Sequence, residues 1–105
     1  MKEEFFIDDL RLGEVSVDDG HVSAKRLFKS AMRDMHEISI SAGAELKEHS
    51  SPQPAVVVFL AGTGTFRLRD EEHQFHAGTC VSFEADVKHS VSAETDARLL
   101  LIKCG

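Results

Sequence analysis

The sequence lacks tryptophan and tyrosine and contains only two prolines and two cysteines. It has no apolar run long enough to span a bilayer, the longest being residues 55–61. The N-terminal residues, with two early glutamates and no apolar stretch behind them, do not resemble a signal peptide. We therefore expect a cytoplasmic protein in which Cys80 and Cys104 are free thiols. Neither cysteine has a CxxC or Cys/His spacing, which excludes the usual structural zinc sites.

Basic residues are in the minority. Lysine and arginine total 12 against 18 aspartates and glutamates, which gives a formal net charge of -6. An acidic chain repels phosphate backbones and anionic lipid surfaces, so we expect neither nucleic acid nor membrane as a partner. The densest basic stretch is Lys25, Arg26 and Lys29, which we interpret as a solvated strand face.

Helical periodicity is weak along the whole chain. Only residues 2–12 have a pattern that suits a short helix, and an extended arm suits it equally well. Elsewhere, short segments with alternating or continuous apolar residues are separated by turn residues, which is typical of β-strands. The predicted strands cover residues 14–17, 24–28, 32–41, 55–60, 65–69, 74–76, 81–83, 89–93 and 98–103. This spacing predicts a β-sandwich or barrel.

Two of these strands are apolar on both faces. Residues 56–59 and 99–102 contain no polar side chain. A strand of this kind must be covered on both sides, and in one small barrel the second cover is often another subunit. We therefore expect a homodimer.

Glycine and histidine spacings after residue 42 match a known pattern. Gly43 is followed after five residues by His49, and Gly62 closes the first motif, G(X)5HXH(X)3-4E(X)6G. Ser51 stands at the second histidine position of that motif and Ala55 at its glutamate position. In these spacings the chain resembles the cupin superfamily.

A second motif of that superfamily, G(X)5PXG(X)2H(X)3N, follows at the correct separation. Gly78 and His89 match it. Glu84, Asp86 and Ala93 stand where proline, glycine and asparagine are usual. The resemblance implies an all-β fold, a single cupin-type double-stranded β-helix or jelly-roll barrel. We expect one cupin domain over residues 1–105, with an N-terminal arm and first strands in 1–23 and the barrel in 24–103.

Most cupins bind a divalent metal through two histidines and a glutamate of the first motif and the histidine of the second. The resemblance assigns His49 and His89 to this role, whereas Ala55 cannot bind a metal and the Ser51 hydroxyl is a poor ligand. Two imidazoles are fewer than the three protein ligands usual for catalytic zinc. His36 is the best candidate for a third, because it alternates with two isoleucines that we expect inside the barrel. Gln53 is a weaker option.

The cofactor prediction is accordingly either none or one ion of iron, manganese, nickel, copper or zinc. Without a metal, His49 and His89 remain candidate acid–base residues, because their ordinary pKa is near neutral. Some epimerases of the superfamily use histidine in this way with an acid and a tyrosine, and the absence of tyrosine here argues against that reading. Glu45 and Lys47 alternate with His49 and are within reach of the pocket mouth, although a solvated position suits them better.

Three functional hypotheses follow. The first is a cupin that binds a small molecule with weak or no catalysis. The second is a metal-dependent cupin enzyme, of dioxygenase or isomerase type, that acts on a small organic or sugar-derived substrate. The third is an interaction module whose barrel is filled by its own side chains. The nature of the cavity distinguishes them, and we favour the first.

Overall fold

The computed structural model describes residues 15, 17–30 and 33–105. These residues form short antiparallel strands joined by turns and loops, and none of them lies in a helix. Consequently, no helix in the described ranges is long and apolar enough to cross a membrane. The strands are β1 (Val22–Lys29), β2 (Arg33–Ile40), β3 (Glu45–His49), β4 (Ala55–Ala61), β5 (Gly64–Leu68), β6 (Glu71–Phe75), β7 (Cys80–Phe83), β8 (His89–Ala93) and β9 (Ala97–Cys104).

The strands form two sheets. One has five strands in the order β1-β2-β9-β4-β7, and the other has four in the order β3-β8-β5-β6. Every pairing is antiparallel. Apart from the consecutive pairs β1–β2 and β5–β6, strands that are neighbours in one sheet are far apart in the sequence, so the chain passes repeatedly between the sheets. This is the topology of an all-β jelly roll, as the sequence predicted.

Aromatic side chains fill the space between the sheets. Phe59 of β4 is completely buried and stacks on Phe75 of β6, with ring centroids 3.9 Å apart. Phe66 of β5 meets Phe59 nearly edge-on at 6.0 Å. Ile40, Val91 and Leu99 complete the most deeply buried set. The rings come from both sheets, so their burial ties the two sheets together.

The sequence located most strands to within a few residues, with two errors. The strand predicted at residues 74–76 begins earlier, at Glu71, because the turn after β5 takes up only residues 69–70. Strand β3 was not recognised as a strand, because four of its five residues are polar. Both strands lie at the edges of the four-stranded sheet, where polar side chains face water. Residues 2–12 and the predicted strand 14–17 lie wholly or partly outside the described residues.

The link from β4 to β5 is not a hairpin turn. These strands belong to different sheets, so Gly62 and Thr63 carry the chain from one sheet to the other. Gly62 has a φ of 90°, and a Cβ there would lie 2.3 Å from the Asp96 carbonyl oxygen. Gly64 approaches β8 so closely that its Cβ would lie 2.1 Å from the Ser92 carbonyl oxygen. Neither position has room for a side chain.

The outer face of the five-stranded sheet contains a largely buried ion pair. Arg98 of β9 donates two hydrogen bonds to Glu37 of β2, at 2.9 and 3.1 Å. The Arg98 side chain is 6% exposed and that of Glu37 is 26% exposed. Apolar side chains of β4 and β9 lie beside this pair, and Val56, Val58 and Ile102 among them remain partly exposed.

Candidate functional site

The site begins at a β-bulge in β3. Leu46 pairs with Val91 of β8, but the next pairing joins His49 to His89, so β3 has one residue more than β8 over this stretch. Leu46 packs against the core. In a regular strand, residues three apart face opposite sides of the sheet, whereas the extra residue allows Leu46 and His49 to share the inner face. The bulge therefore directs His49 towards the barrel interior.

His89 occupies the corresponding position at the start of β8. It is 5% exposed, and its ring centroid lies 4.4 Å from that of Phe83 and 6.1 Å from that of Phe66. The His49 ring meets it nearly edge-on, with centroids 4.2 Å apart. His49 itself is exposed. One side of the histidine pair therefore packs against buried aromatic rings, and the other side is exposed to solvent.

Backbone hydrogen bonds orient both imidazoles in the same way. Nδ1 of His49 lies 2.8 Å from the Lys47 carbonyl oxygen, and Nδ1 of His89 lies 2.9 Å from that of Val87. A carbonyl oxygen only accepts, so each Nδ1 must donate its hydrogen. In a neutral ring the lone pair is then on Nε2. Neither Nε2 has a hydrogen-bond partner among the described residues, so both are available to a ligand.

Burial lowers the pKa of His89 below its ordinary value of 6.5. The hydrogen bond to Val87 acts in the opposite direction, and the charges of His49 and Lys103 lower the pKa further. At neutral pH this ring is therefore neutral, and its Nε2 is a base or a hydrogen-bond acceptor.

The two motif loops are connected through their backbones. The Asp86 amide donates to the Ser51 carbonyl oxygen at 2.7 Å. Asp86 has a φ of 64°, a left-handed conformation that glycine adopts at no steric cost. The position therefore keeps the backbone shape implied by the family glycine although the residue differs. This contact holds the loop before His89 against the loop after His49.

His36 lies elsewhere on the inner face. It pairs with Leu101 in β9 and with Arg26 in β1, and its Nε2 is 3.1 Å from Asp34 Oδ1. Arg26 holds the same carboxylate with hydrogen bonds of 2.9 and 3.2 Å. Burial alone would raise the pKa of Asp34, but Arg26 and His36 lower it below its usual value. His36 is therefore part of a charged cluster with β1.

The residues present do not form the metal site that the family pattern implies. Within the described part of the chain, no three His, Cys, Asp or Glu side chains gather closely enough to hold one metal ion. His49 and His89 come together as predicted, but His36 does not join them. Ala55 contributes only a methyl group, and the Ser51 hydroxyl accepts a hydrogen bond from the Gln53 amide at 3.3 Å. The described residues thus offer two imidazoles at this position and no third ligand.

Glu45 is exposed, in agreement with the solvated position preferred from the sequence, and it points away from the site although alternation with His49 would place it at the pocket mouth. It pairs with the exposed Ser92 and lines an outer groove of about 300 Å³ with Arg67 and Glu72. The bulge is the reason, because it interrupts the alternation between residues 45 and 49. Cys80 is a free thiol exposed on β7, whereas the next residue, Val81, packs against the core.

Lys103 is a site residue that the sequence reading overlooked. It pairs with Ala55 of β4, and Ala55 pairs with Phe83 of β7, so the three residues form one row across the sheet. Ala55 and Phe83 belong to the core, so Lys103 lies on the inner face of the sheet, where it is partly exposed. In the sequence, Lys103 alternates with Leu99 and Leu101, which indicates that all three share one face. The apolar run 99–102 obscures this alternation.

Two antiparallel sheets around an aromatic core, with a histidine pair on the inner surface, define a small jelly-roll β-barrel. Residues 36–103 match the family model described as the cupin domain. The match covers more than half of the chain, so this protein belongs to the cupin family.

Solved structures agree on the fold. A conserved protein of unknown function from Streptococcus pyogenes is similar over 99% of this chain and 95% of its own, with 20% identity and a TM-score of 0.79. A cupin 2 conserved barrel domain protein from Leptotrichia buccalis is 27% identical over 87% of this chain and 44% of its own, with a TM-score of 0.79.

A salicylate 1,2-dioxygenase from Pseudoaminobacter salicylatoxidans, solved with gentisate, is 18% identical. The similarity covers 87% of this chain and 26% of that enzyme, with a TM-score of 0.76. No curated protein matches the chain significantly.

Proposed function

We propose that the protein binds a small organic molecule at the open end of its barrel, with weak or no catalysis. The observation that carries this proposal is the His49–His89 pair, which combines two available Nε2 atoms with the rings of Phe66 and Phe83. Apolar surroundings with a few convergent polar groups are the usual composition of a ligand pocket. The missing family ligands at Ser51 and Ala55 favour binding over metal chemistry.

The proposal is tested with the tag-free full-length protein labelled at its histidine rings. Each ring signal is assigned by substitution and followed by NMR during titration with a library of small neutral and charged molecules. A ligand of this site shifts the His49 and His89 signals and leaves those of the exposed His21 and His76 unchanged. His49→Ala weakens its binding, whereas His76→Ala does not. A library that moves no His49 or His89 signal contradicts the proposal.

A metal-dependent enzyme of dioxygenase or isomerase type is the second candidate. The observation in its favour is that both Nε2 lone pairs are available for coordination. The similar dioxygenase from Pseudoaminobacter, solved with gentisate, makes an aromatic acid a reasonable substrate class for this alternative. Metal analysis of wild type and His49→Ala separates the two candidates. About one equivalent of metal in wild type, lost in the variant, supports the enzyme, and metal well below one equivalent in both supports the metal-free binder.

We further propose a homodimer formed through the outer face of the five-stranded sheet. Val56, Val58 and Ile102 remain partly exposed there, and an open groove of about 1220 Å³ runs along Val58 and Leu60. A second subunit would cover these side chains.

A cytoplasmic location is the accompanying proposal, supported by the free thiols of Cys80 and Cys104, which suit a reducing compartment.

A further inference from the structure

The outer face of the four-stranded sheet contains a groove lined by hydroxyl groups, which we call the hydroxyl groove. Its volume is about 300 Å³, and Thr65, Ser90 and Ser92 are among the residues that line it. Thr65 lies directly opposite Ser92, so their Cβ atoms are about 5 Å apart. Ser90 precedes Ser92 by two positions on β8, about 7 Å along the strand. Both serines alternate with His89 and Val91 of the barrel interior, so the sheet itself separates the groove from the histidine pair.

Ser90 is buried although it lies on this outer face. It is 9% exposed, whereas Ser92 on the same face is exposed. The bulge in β3 places two residues, Lys47 and Glu48, opposite Ser90, and Arg67 of β5 pairs with it on the other side. Buried hydroxyls usually have a hydrogen-bond partner, but the Ser90 hydroxyl has none among the described residues. Because Ser90 lines the groove, its hydroxyl is available to a molecule that occupies the groove.

The other two hydroxyls are also available. No side-chain hydrogen bond joins Ser92 to any residue in the described ranges. The Thr65 hydroxyl accepts a hydrogen bond from the Gln74 side-chain amide at 3.2 Å and keeps its own hydrogen to donate. Each of the three hydroxyls can therefore donate one hydrogen bond to a ligand, and the two serines can also accept.

The charges beside the hydroxyls disfavour ions of either sign. Arg67 and Glu72 form an ion pair in the lining, and Glu45 adds a second carboxylate. The hydrogen bond and charge of Glu72 raise the pKa of Arg67, and the charges of Glu48 and Asp70 act in the same direction. The carboxylates therefore repel an anion, and the guanidinium repels a cation. Within the described part of the chain, no three His, Cys, Asp or Glu side chains gather closely enough to hold a metal ion.

We infer that the hydroxyl groove binds a small neutral polyol, whose hydroxyl groups exchange hydrogen bonds with Thr65, Ser90 and Ser92. Further hydroxyls of the ligand donate to the Glu45 and Glu72 carboxylates, which accept stronger hydrogen bonds than neutral groups do. Each hydrogen bond exchanged with water contributes little net free energy, so the dissociation constant is expected to be millimolar. The groove is additional to the site proposed at the histidine pair, and neither site depends on the other.

Three probes with the same six-membered carbon ring test the ligand class. myo-Inositol is neutral and has a hydroxyl on every carbon, quinate adds a carboxylate, and cyclohexanol has a single hydroxyl. Backbone amide and histidine-ring NMR signals of the full-length protein are followed during each titration. myo-Inositol is expected to shift the amide signals of Thr65, Ser90 and Ser92 and to leave the His49 and His89 ring signals unchanged. Quinate is expected to bind at least about threefold more weakly, because the carboxylates repel it, and cyclohexanol is expected not to bind at these concentrations.

Two substitutions test the groove itself. Ser90→Ala removes the buried hydroxyl and is expected to weaken myo-inositol binding by about fivefold, the effect of one lost hydrogen bond. Ser92→Gln places a longer side chain at an exposed position and is expected to abolish binding by filling the groove. Ser82→Ala, which removes an exposed serine of β7 in the other sheet, is the matched control and leaves the affinity unchanged.

Loss of affinity in both groove variants, with Ser82→Ala equal to wild type, supports the inference. It is overturned if myo-inositol shifts no signal of the groove, or if it shifts only the His49 and His89 rings. Unchanged affinity in either folded groove variant also overturns it. Tighter binding of quinate than of myo-inositol would show that Arg67 selects an anion and would contradict the neutral ligand class.

Discussion

At the scale of single residues, the motif spacings identified the histidine pair but not its surroundings. His49 and His89 are 40 positions apart in the sequence, and the structure brings their rings to 4.2 Å, as their motif positions predict. The direction of Glu45 could not be predicted in the same way, because a β-bulge has no reliable sequence signature in a polar strand. Lys103 was missed although it continues the inward alternation of its strand.

The lowered pKa of His89 leads to a prediction about stability and pH. The unfolded chain titrates this histidine near 6.5, whereas the folded protein titrates it at lower pH because the ring is buried. Between these values the unfolded state binds more protons, so the stability contribution is present above about 6.5 and is lost as pH falls through the folded pKa. Urea unfolding of wild type is expected to show a larger loss of stability between pH 8 and pH 5 than unfolding of His89→Gln.

His76→Gln serves as the control for this experiment, since His76 is exposed and its removal should leave the pH dependence of wild type unchanged. The comparison uses the change with pH in each protein, so a general destabilisation by the substitution does not affect it. Identical pH dependence in wild type and His89→Gln would show that burial of His89 does not govern its protonation.

At the scale of strands, sequence patterns worked where one or both faces are apolar. Strand β4 is apolar throughout, and β8 was predicted at its observed bounds. The edge strands β3 and β6 were missed or placed too late in the sequence. Their exposed faces contain charged residues and their inner faces contribute few buried side chains, so the apolar pattern is weak. Sequence patterns also do not show which strands pair with each other, since β9 pairs with β2 and β4, both distant in the chain.

The ion pair between β2 and β9 provides a test of this strand pairing. Glu37→Ala removes the carboxylate that accepts two hydrogen bonds from Arg98, a side chain that is only 6% exposed. Breaking a buried pair typically costs 3–5 kcal/mol, and the partial exposure of Glu37 reduces this expectation to about 2 kcal/mol. Chemical denaturation is the measurement.

The matched control is Glu72→Ala, which removes the carboxylate partner of Arg67 in a pair that is more than half exposed on both sides. An exposed pair contributes little to stability, so this variant should unfold at nearly the same denaturant concentration as wild type. If the two substitutions cost the same, burial of the Arg98 pair does not contribute to stability.

At the scale of the whole molecule, the resemblance of the motifs predicted the barrel, but the sequence alone could not specify the ligand chemistry. The motif substitutions at Ser51 and Ala55 indicated that the usual metal site was incomplete. Only the strand register adds that Lys103 faces the space left by Ala55.

The outer face of the five-stranded sheet leads to the last prediction. A stable interface requires roughly 800 Å² from each subunit. Val56, Val58 and Ile102 are the outer apolar side chains of β4 and β9 that remain partly exposed for such a contact. Light scattering after gel filtration should give twice the chain mass for wild type and the single-chain mass for Val58→Glu, because the new carboxylate would be buried without a partner. Gln74→Glu, an exposed position on β6, introduces the same charge on the other sheet and should remain dimeric. Far-UV circular dichroism confirms that each variant is folded. A monomeric wild type at micromolar concentration would contradict the dimer, and a dimeric, folded Val58→Glu would place the interface on another surface.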